Sequence, residues 1–99
     1  MTDFASRVYS TAKKIPEGRV STYGEIAHAM HVKAYRAVGH ALHNNPTPII
    51  VPCHRVVKSD GSLGGFASGP KKKIFLLKKE GVSVKNGKIV DFRKKFIRL

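Results

Sequence analysis

The apolar residues of the first 43 positions recur at helical spacing, and turn-forming residues interrupt them twice. Residues 3–15 predict an amphipathic helix with an inward face of Phe4, Val8, Tyr9, Ala12 and Ile15. The run from Pro16 to Arg19 predicts the turn that ends it. Thr22 and Glu25 have the spacing of a capping box, which predicts a second helix from Tyr23 to about Met30.

A third helix is predicted from about Ala34 to His43, and Asn44-Asn45-Pro46 ends it. Its inward positions are Val38, Ala41 and Leu42, whereas other faces carry Arg36, His40 and His43. Two short helices joined by a short turn indicate a helix-turn-helix. Many small helical bundles share this spacing, so the pattern alone does not separate the two.

The second half of the chain mixes strand and helix signals. Ile49 to Val57 is rich in β-formers and interrupted by Pro52, and Lys58 to Gly61 predicts a turn. Pro70 suits the first position of a fourth helix that runs to Lys79 and stops at Gly81. Asn86-Gly87 predicts a β-hairpin within residues 82–90. The basic segment 91–99 has no predicted structure.

Nineteen Lys and Arg against six acidic residues give a formal net charge of +13, which indicates an anionic partner. Charge alone does not distinguish DNA, RNA and an acidic membrane, and a merely solubilising surface is the alternative. No apolar run is long enough to span a bilayer, and the start of the chain has no signal-peptide pattern. We therefore expect a soluble intracellular protein.

The sharpest local feature is Cys53 followed by His54, in a chain with no other cysteine. A thiol is a competent nucleophile only as the thiolate, so it needs a base or a positive environment. Neighbouring residues on an extended segment point to opposite faces, so contact between the two side chains would need a bridging water. The alternative is an inert cysteine buried in a core strand.

Other chemistries have weaker signals. The histidines (His28, His31, His40, His43 and His54) and the one cysteine lack zinc-site spacing, so no metal or other cofactor is predicted. Gly64-Gly65 is too short a signal for a phosphate-binding loop. A cysteine protease would need a further orienting group, which the sequence does not nominate.

The run Pro52-Cys53-His54-Arg55-Val56 resembles the active-site signature of the O6-alkylguanine-DNA alkyltransferases. The same order and spacing hold at Arg36–Gly39, Asn45-Pro46, Pro48–Val57, Gly61, Gly64 and Lys73–Gly81. The resemblance extends from Phe4 to about Val90. It implies a mainly α fold: a winged-helix-like three-helix DNA-binding domain with a helix-turn-helix, a fourth helix and a short C-terminal β-hairpin.

The resemblance implies repair of DNA by direct reversal of damage. Cys53 would accept the alkyl group of an O6-alkylguanine once per molecule, as a methylated-DNA–protein-cysteine methyltransferase without a cofactor. The partner would be double-stranded DNA, bound through its minor groove, with the damaged nucleotide flipped into a pocket. Tyr23 would push on the phosphate beside the target and Arg36 would fill the vacated space. Ala37 and Arg55 complete the expected DNA contacts.

Further roles follow from the same resemblance. His54, through a water, would deprotonate Cys53, and Glu80 would orient His54. Asn45 would tie the recognition helix to the active-site loop, and the carbonyls of Cys53 and Val56 would accept the guanine amino group. The substrate pocket would be lined by Val56, Phe66, Ala67, Ser68, Gly69 and Lys73.

Phe66 and Ala67 stand where many members of the family have Tyr and Ser, so we expect one or two hydrogen bonds to the flipped base to be missing. We expect one domain over residues 1–99, without the family's usual amino-terminal domain, and a monomer that binds no membrane. We expect it in the cytoplasm, with the nucleoid of a prokaryote or in the nucleus of a eukaryote. The basic tail 91–99 would contact phosphates or be solvated.

Two rival functions remain at this point. Alkyltransferase-like proteins bind alkylated guanine without accepting the group, and typically have Trp or Ala in place of the cysteine. Cys53 in an intact Pro-Cys-His-Arg argues against that class. An architectural DNA-binding protein would explain the charge but not Cys53 and its neighbours.

Overall fold

The computed structural model describes residues 3–46, 50–64 and 69–99. These residues form helices α1 (Asp3–Ala12), α2 (Tyr23–Ala29), α3 (Tyr35–His43), α4 (Pro70–Lys79) and α5 (Phe92–Lys95). The strands are β1 (Ser21–Thr22), β2 (Val56–Val57), β3 (Val84–Lys85) and β4 (Lys88–Ile89), and a one-turn 3₁₀ helix spans Cys53–Arg55. The predicted mainly α fold is confirmed.

The first three helices pack on one another around a shared core. Helix α1 ends at Ala12 rather than at the predicted residue 15, because Lys14 and Ile15 donate to carbonyls only three residues back. Such tightened turns are common at helix ends. Ile15 is buried as predicted, as are the inward residues of α3, which are Val38, Ala41 and Leu42.

The start of α2 is capped as predicted, since the Glu25 amide donates to Thr22 Oγ1 over 3.0 Å. The Glu25 carboxylate has another use. Its Oε2 atom accepts a hydrogen bond from the Leu99 amide at 2.8 Å. The side chain expected to complete the capping box therefore holds the end of the chain.

The predicted extended stretch Ile49–Val57 is only partly correct. Residues 47–49 lie outside the described residues, the 3₁₀ turn occupies Cys53–Arg55, and only Val56–Val57 form a strand. Strand β2 pairs in parallel with β1, so that Ser21 lies opposite Val56. This pairing, which no local pattern predicts, joins the segment that follows the turn to the segment that precedes α2.

The predicted hairpin is confirmed, with β3 and β4 antiparallel around Asn86 and Gly87, both at positive φ. It packs with α4 around a second core cluster made of Val20, Val57, Leu63, Leu77, Val82 and Ile89. Helix α4 has the predicted bounds, and Gly81 follows it at φ +86°.

Of the two alternatives for the basic tail, simple solvation does not describe residues 92–99, and contact with phosphates stays a prediction. Ile97 donates to the Val20 carbonyl at 3.0 Å, and Phe96 forms a parallel bridge with Val20. Ile97 and Leu99 pack against the first core cluster, whereas Phe92 packs against the second. The tail therefore joins the two clusters. Over the described residues, the structure contains no helix that is long and apolar enough to cross a membrane.

Candidate active site and nucleic-acid interface

Cys53 and His54 are buried side by side in the 3₁₀ turn, at 6% and 0% exposure. The Cys53 amide donates to Val51 O at 2.7 Å, and the Val56 amide donates to Cys53 O. The expectation that the two side chains occupy opposite faces of an extended segment is wrong, because a tight turn replaces the strand. The turn therefore places both side chains inside the protein.

His54 and Glu80 form the predicted pair. His54 Nε2 lies 3.0 Å from Glu80 Oε2, and the glutamate is the residue that ends α4. An ionised carboxylate can only accept, so Nε2 carries the proton and Nδ1 has a free lone pair. His54 Nδ1 is buried and has no hydrogen-bond partner among the described residues. That atom is the available base.

The two pKa values fit this assignment. Burial lowers the pKa of His54 below its usual value, although the hydrogen bond and charge of Glu80 oppose the change. Burial alone would raise the pKa of Glu80, but the hydrogen bonds from Arg55 and His54 together hold it below its usual value. A neutral histidine therefore faces an ionised carboxylate at neutral pH.

Arg55 points inward. Its Nε donates to Glu80 Oε1 at 2.8 Å and its Nη2 to Glu80 Oε2 at 2.6 Å, while Nη1 donates to Ile15 O at 2.8 Å. The side chain is 15% exposed. Its expected role as a DNA contact stays a prediction, and this geometry favours a different role beside Glu80. Sequence reasoning missed these contacts, which join residues 40 and 25 positions apart.

Lys73 lies on the inward face of α4 with no exposed surface. Its Nζ donates to Val56 O at 2.7 Å and to Leu63 O at 2.5 Å. Burial lowers the pKa of Lys73 to about 8, although a Cys53 thiolate would oppose that shift. The predicted pocket residues Val56 and Lys73 thus lie together beside Cys53.

Asn45 joins the end of α3 to the segment that precedes Cys53, and the role of α3 as a recognition helix stays a prediction. Asn45 follows the end of α3 by two residues, and Val51 precedes Cys53 by two. The Nδ2 atom of Asn45 donates to Val51 O at 2.9 Å. Asn45 is itself buried. The bond therefore fixes the end of α3 relative to the 3₁₀ turn.

Tyr23, the first residue of α2, is half-buried between α3 and Cys53. A Cβ atom on Gly64 would lie 3.0 Å from its hydroxyl oxygen, and Gly64 itself has φ +72°. Burial, with a contribution from Cys53, raises the pKa of Tyr23 to about 12. The hydroxyl is therefore a proton donor at neutral pH, and its contact with a phosphate stays a prediction.

Arg36 and Ala37 are exposed on the first turn of α3. A cleft beside them is lined by Tyr23, Tyr35, Arg36, Gly39, His40, His43, Lys58 and Gly64. The cleft runs from the exposed face of α3 to the tyrosine next to Cys53. The cleft therefore brings Arg36 of α3 and Tyr23 of α2 to one surface.

Three of the predicted pocket residues, Phe66, Ala67 and Ser68, lie outside the described residues. Gly69 precedes α4 at φ +91°, a conformation that favours glycine. Within the described ranges, the His, Cys, Asp and Glu side chains form no group of three that could hold a metal ion. The burial of Lys73 could have been inferred, since it precedes Leu76 and Leu77 on the same helical face.

Residues 3–82 match the family described as 6-O-methylguanine DNA methyltransferase, DNA binding domain. The chain belongs to this family. A methylated-DNA–protein-cysteine methyltransferase of Methanosarcina acetivorans is 53% identical over 81 residues, which cover 81% of this chain and 52% of that protein. The chain therefore spans about half the length of such curated relatives, and 30% of a Picrophilus torridus bifunctional methyltransferase/endonuclease that is 46% identical over 88 residues.

Solved structures of the family share the fold. Mycobacterium tuberculosis OGT in complex with DNA superposes with a TM-score of 0.79 and 45% identity, over 82% of this chain and 50% of that one. S. pombe Atl1, in complex with damaged DNA containing O6-carboxymethylguanine, superposes with a TM-score of 0.85 and 32% identity. That match covers 100% of this chain and 98% of the other. The predicted family and fold are confirmed.

Proposed function

We propose that this chain repairs alkylated DNA by transferring the alkyl group from O6 of guanine to Cys53, once per molecule. The observation that carries this proposal is the buried pair of Cys53 and His54, with a half-buried Glu80 bonded to His54 and a free lone pair on His54 Nδ1. A buried nucleophile, a base and an orienting carboxylate are what activated-thiol chemistry requires.

The proposed transfer begins when His54 Nδ1, through one water, removes the proton of the Cys53 thiol. The thiolate attacks the alkyl carbon, a sulfur–carbon bond forms, and the bond from that carbon to O6 breaks. The electron pair of the broken bond stays on the guanine, which takes up one proton. The products are an unmodified guanine and a thioether at Cys53, so the step needs no cofactor.

The proposed partner is double-stranded DNA, bound along its minor groove by α3 of a monomer. Support comes from the exposed Arg36 and Ala37, from the net charge of +13, and from the structural relatives that were solved with DNA. Basic surfaces bind phosphates through counterion release. Arg36 entering the base stack would offset part of the few kcal/mol that nucleotide extrusion costs.

Intact-protein mass spectrometry tests the transfer directly. The chain is mixed with a duplex carrying one O6-methylguanine, beside Cys53→Ser, and the methylated peptide is then located. We expect one methyl group per molecule on Cys53 and none in the variant. Tight binding to the lesion without a mass gain would instead establish an alkyltransferase-like binding protein, and loss of both would contradict the proposal altogether.

A further inference from the structure

Arg55 makes three hydrogen bonds that converge on the support of His54. Two of them hold both oxygens of Glu80, at 2.8 and 2.6 Å, and the third reaches the Ile15 carbonyl at 2.8 Å. Glu80 Oε2 also accepts a hydrogen bond from His54 Nε2 at 3.0 Å. One carboxylate oxygen is therefore shared between the base and the guanidinium.

Glu80 occupies an unfavourable position for a carboxylate. It ends α4, where the helix dipole disfavours negative charge, and its side chain is only 10% exposed. The cationic fork of Arg55 opposes both effects, and a planar guanidinium matches a carboxylate with two parallel hydrogen bonds. Without it, neither the charge nor the orientation of Glu80 would be held.

We propose that Arg55 is a positioning residue of the transfer reaction. It holds Glu80 in the orientation that accepts a hydrogen bond from His54 Nε2. This inference rests on the proposed function for its effect on rate. The bond to Ile15 O fixes the plane of the guanidinium against the turn that follows α1. Rotation of the Glu80 carboxylate away from His54 would therefore break both bonds to Arg55.

Arg55 also sets the charge around His54. The groups that act on this histidine are Glu80, which raises its pKa, and Arg55 and Lys73, which lower it, while burial lowers it most. Without Arg55, Glu80 would lose the orientation that bonds to His54, and with it the hydrogen bond that raises the pKa of His54 more than the charge of Arg55 lowers it. The pKa of His54 should therefore fall, and because the base must be neutral to take the thiol proton, the acid limb of the rate profile should move to lower pH.

The test compares Arg55→Lys and Arg55→Met with the wild type, and Arg93→Met, an exposed arginine of α5, is the matched control. Nitrogen-15 NMR of the free protein gives the tautomer and the titration midpoint of His54. Single-turnover methyl transfer at saturating lesion duplex gives the rate as a function of pH. Fluorescence anisotropy gives DNA affinity as a function of salt.

We expect Arg55→Lys to transfer at least about tenfold more slowly, because a lysine supplies charge but not the fork. In Arg55→Met, the His54 midpoint and the acid limb should both move to lower pH, because Glu80 no longer bonds to His54. DNA affinity and its salt dependence should match the wild type in both variants. A destabilised but otherwise normal protein would leave the midpoint unchanged, so a role in folding alone would not produce this result.

Two results would overturn the inference. One is an Arg55→Lys rate equal to that of the wild type, which remains decisive if Arg55→Met does not fold. The other is a salt-dependence slope reduced by about one, with no change of rate at saturating DNA, which would establish Arg55 as a phosphate contact. If the wild type transfers no methyl group, the proposed function fails, and the NMR titration still tests the placement of Arg55.

Discussion

The first turn of α3 and the 3₁₀ turn at Cys53 are two functional regions built in opposite ways. Arg36 and Ala37 stand exposed on a regular helix. Cys53 and His54 are buried, and His54 depends on Glu80 from another element. The first region can be changed one residue at a time, whereas a change in the second leaves a buried polar group without its partner.

This difference separates the expected effects on stability from those on function. Exposed substitutions usually alter stability by less than about 0.5 kcal/mol. Leaving a buried donor or acceptor unpaired costs about 1–3 kcal/mol. Substitutions on the exposed face of α3 should therefore affect DNA binding alone. Substitutions near Cys53 should affect stability or methyl transfer without weakening DNA binding.

The largest effect should come from His54→Gln. Glutamine can still donate to Glu80 but offers no base at the position of Nδ1, so transfer should slow by roughly 10²–10⁴-fold, the usual contribution of general-base catalysis. Rapid-quench single-turnover kinetics measure it, and His28→Gln, an exposed histidine of α2, is the control. Transfer at the wild-type rate would remove His54 from the reaction.

Asn45→Ala should lower the free energy of unfolding by about 0.5–1.5 kcal/mol, because one buried hydrogen bond to the Val51 carbonyl is lost while that carbonyl still accepts from the Cys53 amide. Urea denaturation measures the change, and Asn44→Ala, the exposed neighbour, should alter it by less than about 0.5 kcal/mol. Equal effects of the two substitutions would mean that the hydrogen bond from Asn45 to Val51 makes no measurable contribution to the free energy of unfolding.

Lys73 predicts a specific pH dependence of stability. Its pKa is about 8 in the folded protein and 10.5 when unperturbed, so between pH 8 and 10 the unfolded chain binds more protons. Stability should therefore rise with pH in that window, by about 2 kcal/mol relative to Lys73→Met. The window ends at pH 10 because Tyr23, with a folded pKa of about 12 against 10.0, acts in the opposite direction above it.

Urea titrations at pH 8, 9 and 10 measure this difference, and Lys72→Met, the exposed neighbour on α4, is the control. The stability of Lys72→Met relative to wild type should not change over the same range. A constant difference between wild type and Lys73→Met would show that Lys73 stays protonated when folded.

Arg36→Ala should give the most selective effect. We expect lesion-duplex affinity to fall by about tenfold, which corresponds to about 1.4 kcal/mol, with stability unchanged. Anisotropy measures the affinity, and Arg93→Ala is the comparison for the loss of one positive charge. Equal losses in the two variants would indicate that Arg36 contributes only charge.

The two regions also differ in how far the sequence predicts them. The α3 face follows from helical spacing, which separates buried Val38 and Leu42 from exposed Arg36. The 3₁₀ turn does not follow, because Val51, Val56 and Val57 are β-formers around Pro52, and periodicity alone cannot reveal a turn between them. The roles of Cys53, His54 and Glu80 came from family resemblance.

Local sequence patterns do not predict contacts between residues that are far apart in the chain. The tail lacks a helical or alternating pattern, yet Ile97 bonds to Val20, 77 positions earlier. The Arg55 contacts with Ile15 and Glu80 likewise depend on how α1 and α4 meet the turn. These contacts are set by tertiary packing, so the three-dimensional structure was needed to find them.

The rate of methyl transfer to Cys53 in Glu80→Gln, measured at saturating lesion duplex and below the variant's unfolding temperature, tests the proposed chemistry. We expect wild-type DNA affinity, a rate at least about 100-fold lower, and the methyl group still on the Cys53 peptide. A wild-type rate would contradict the proposed mechanism, because the His54–Glu80 pair would then have no part in the chemistry.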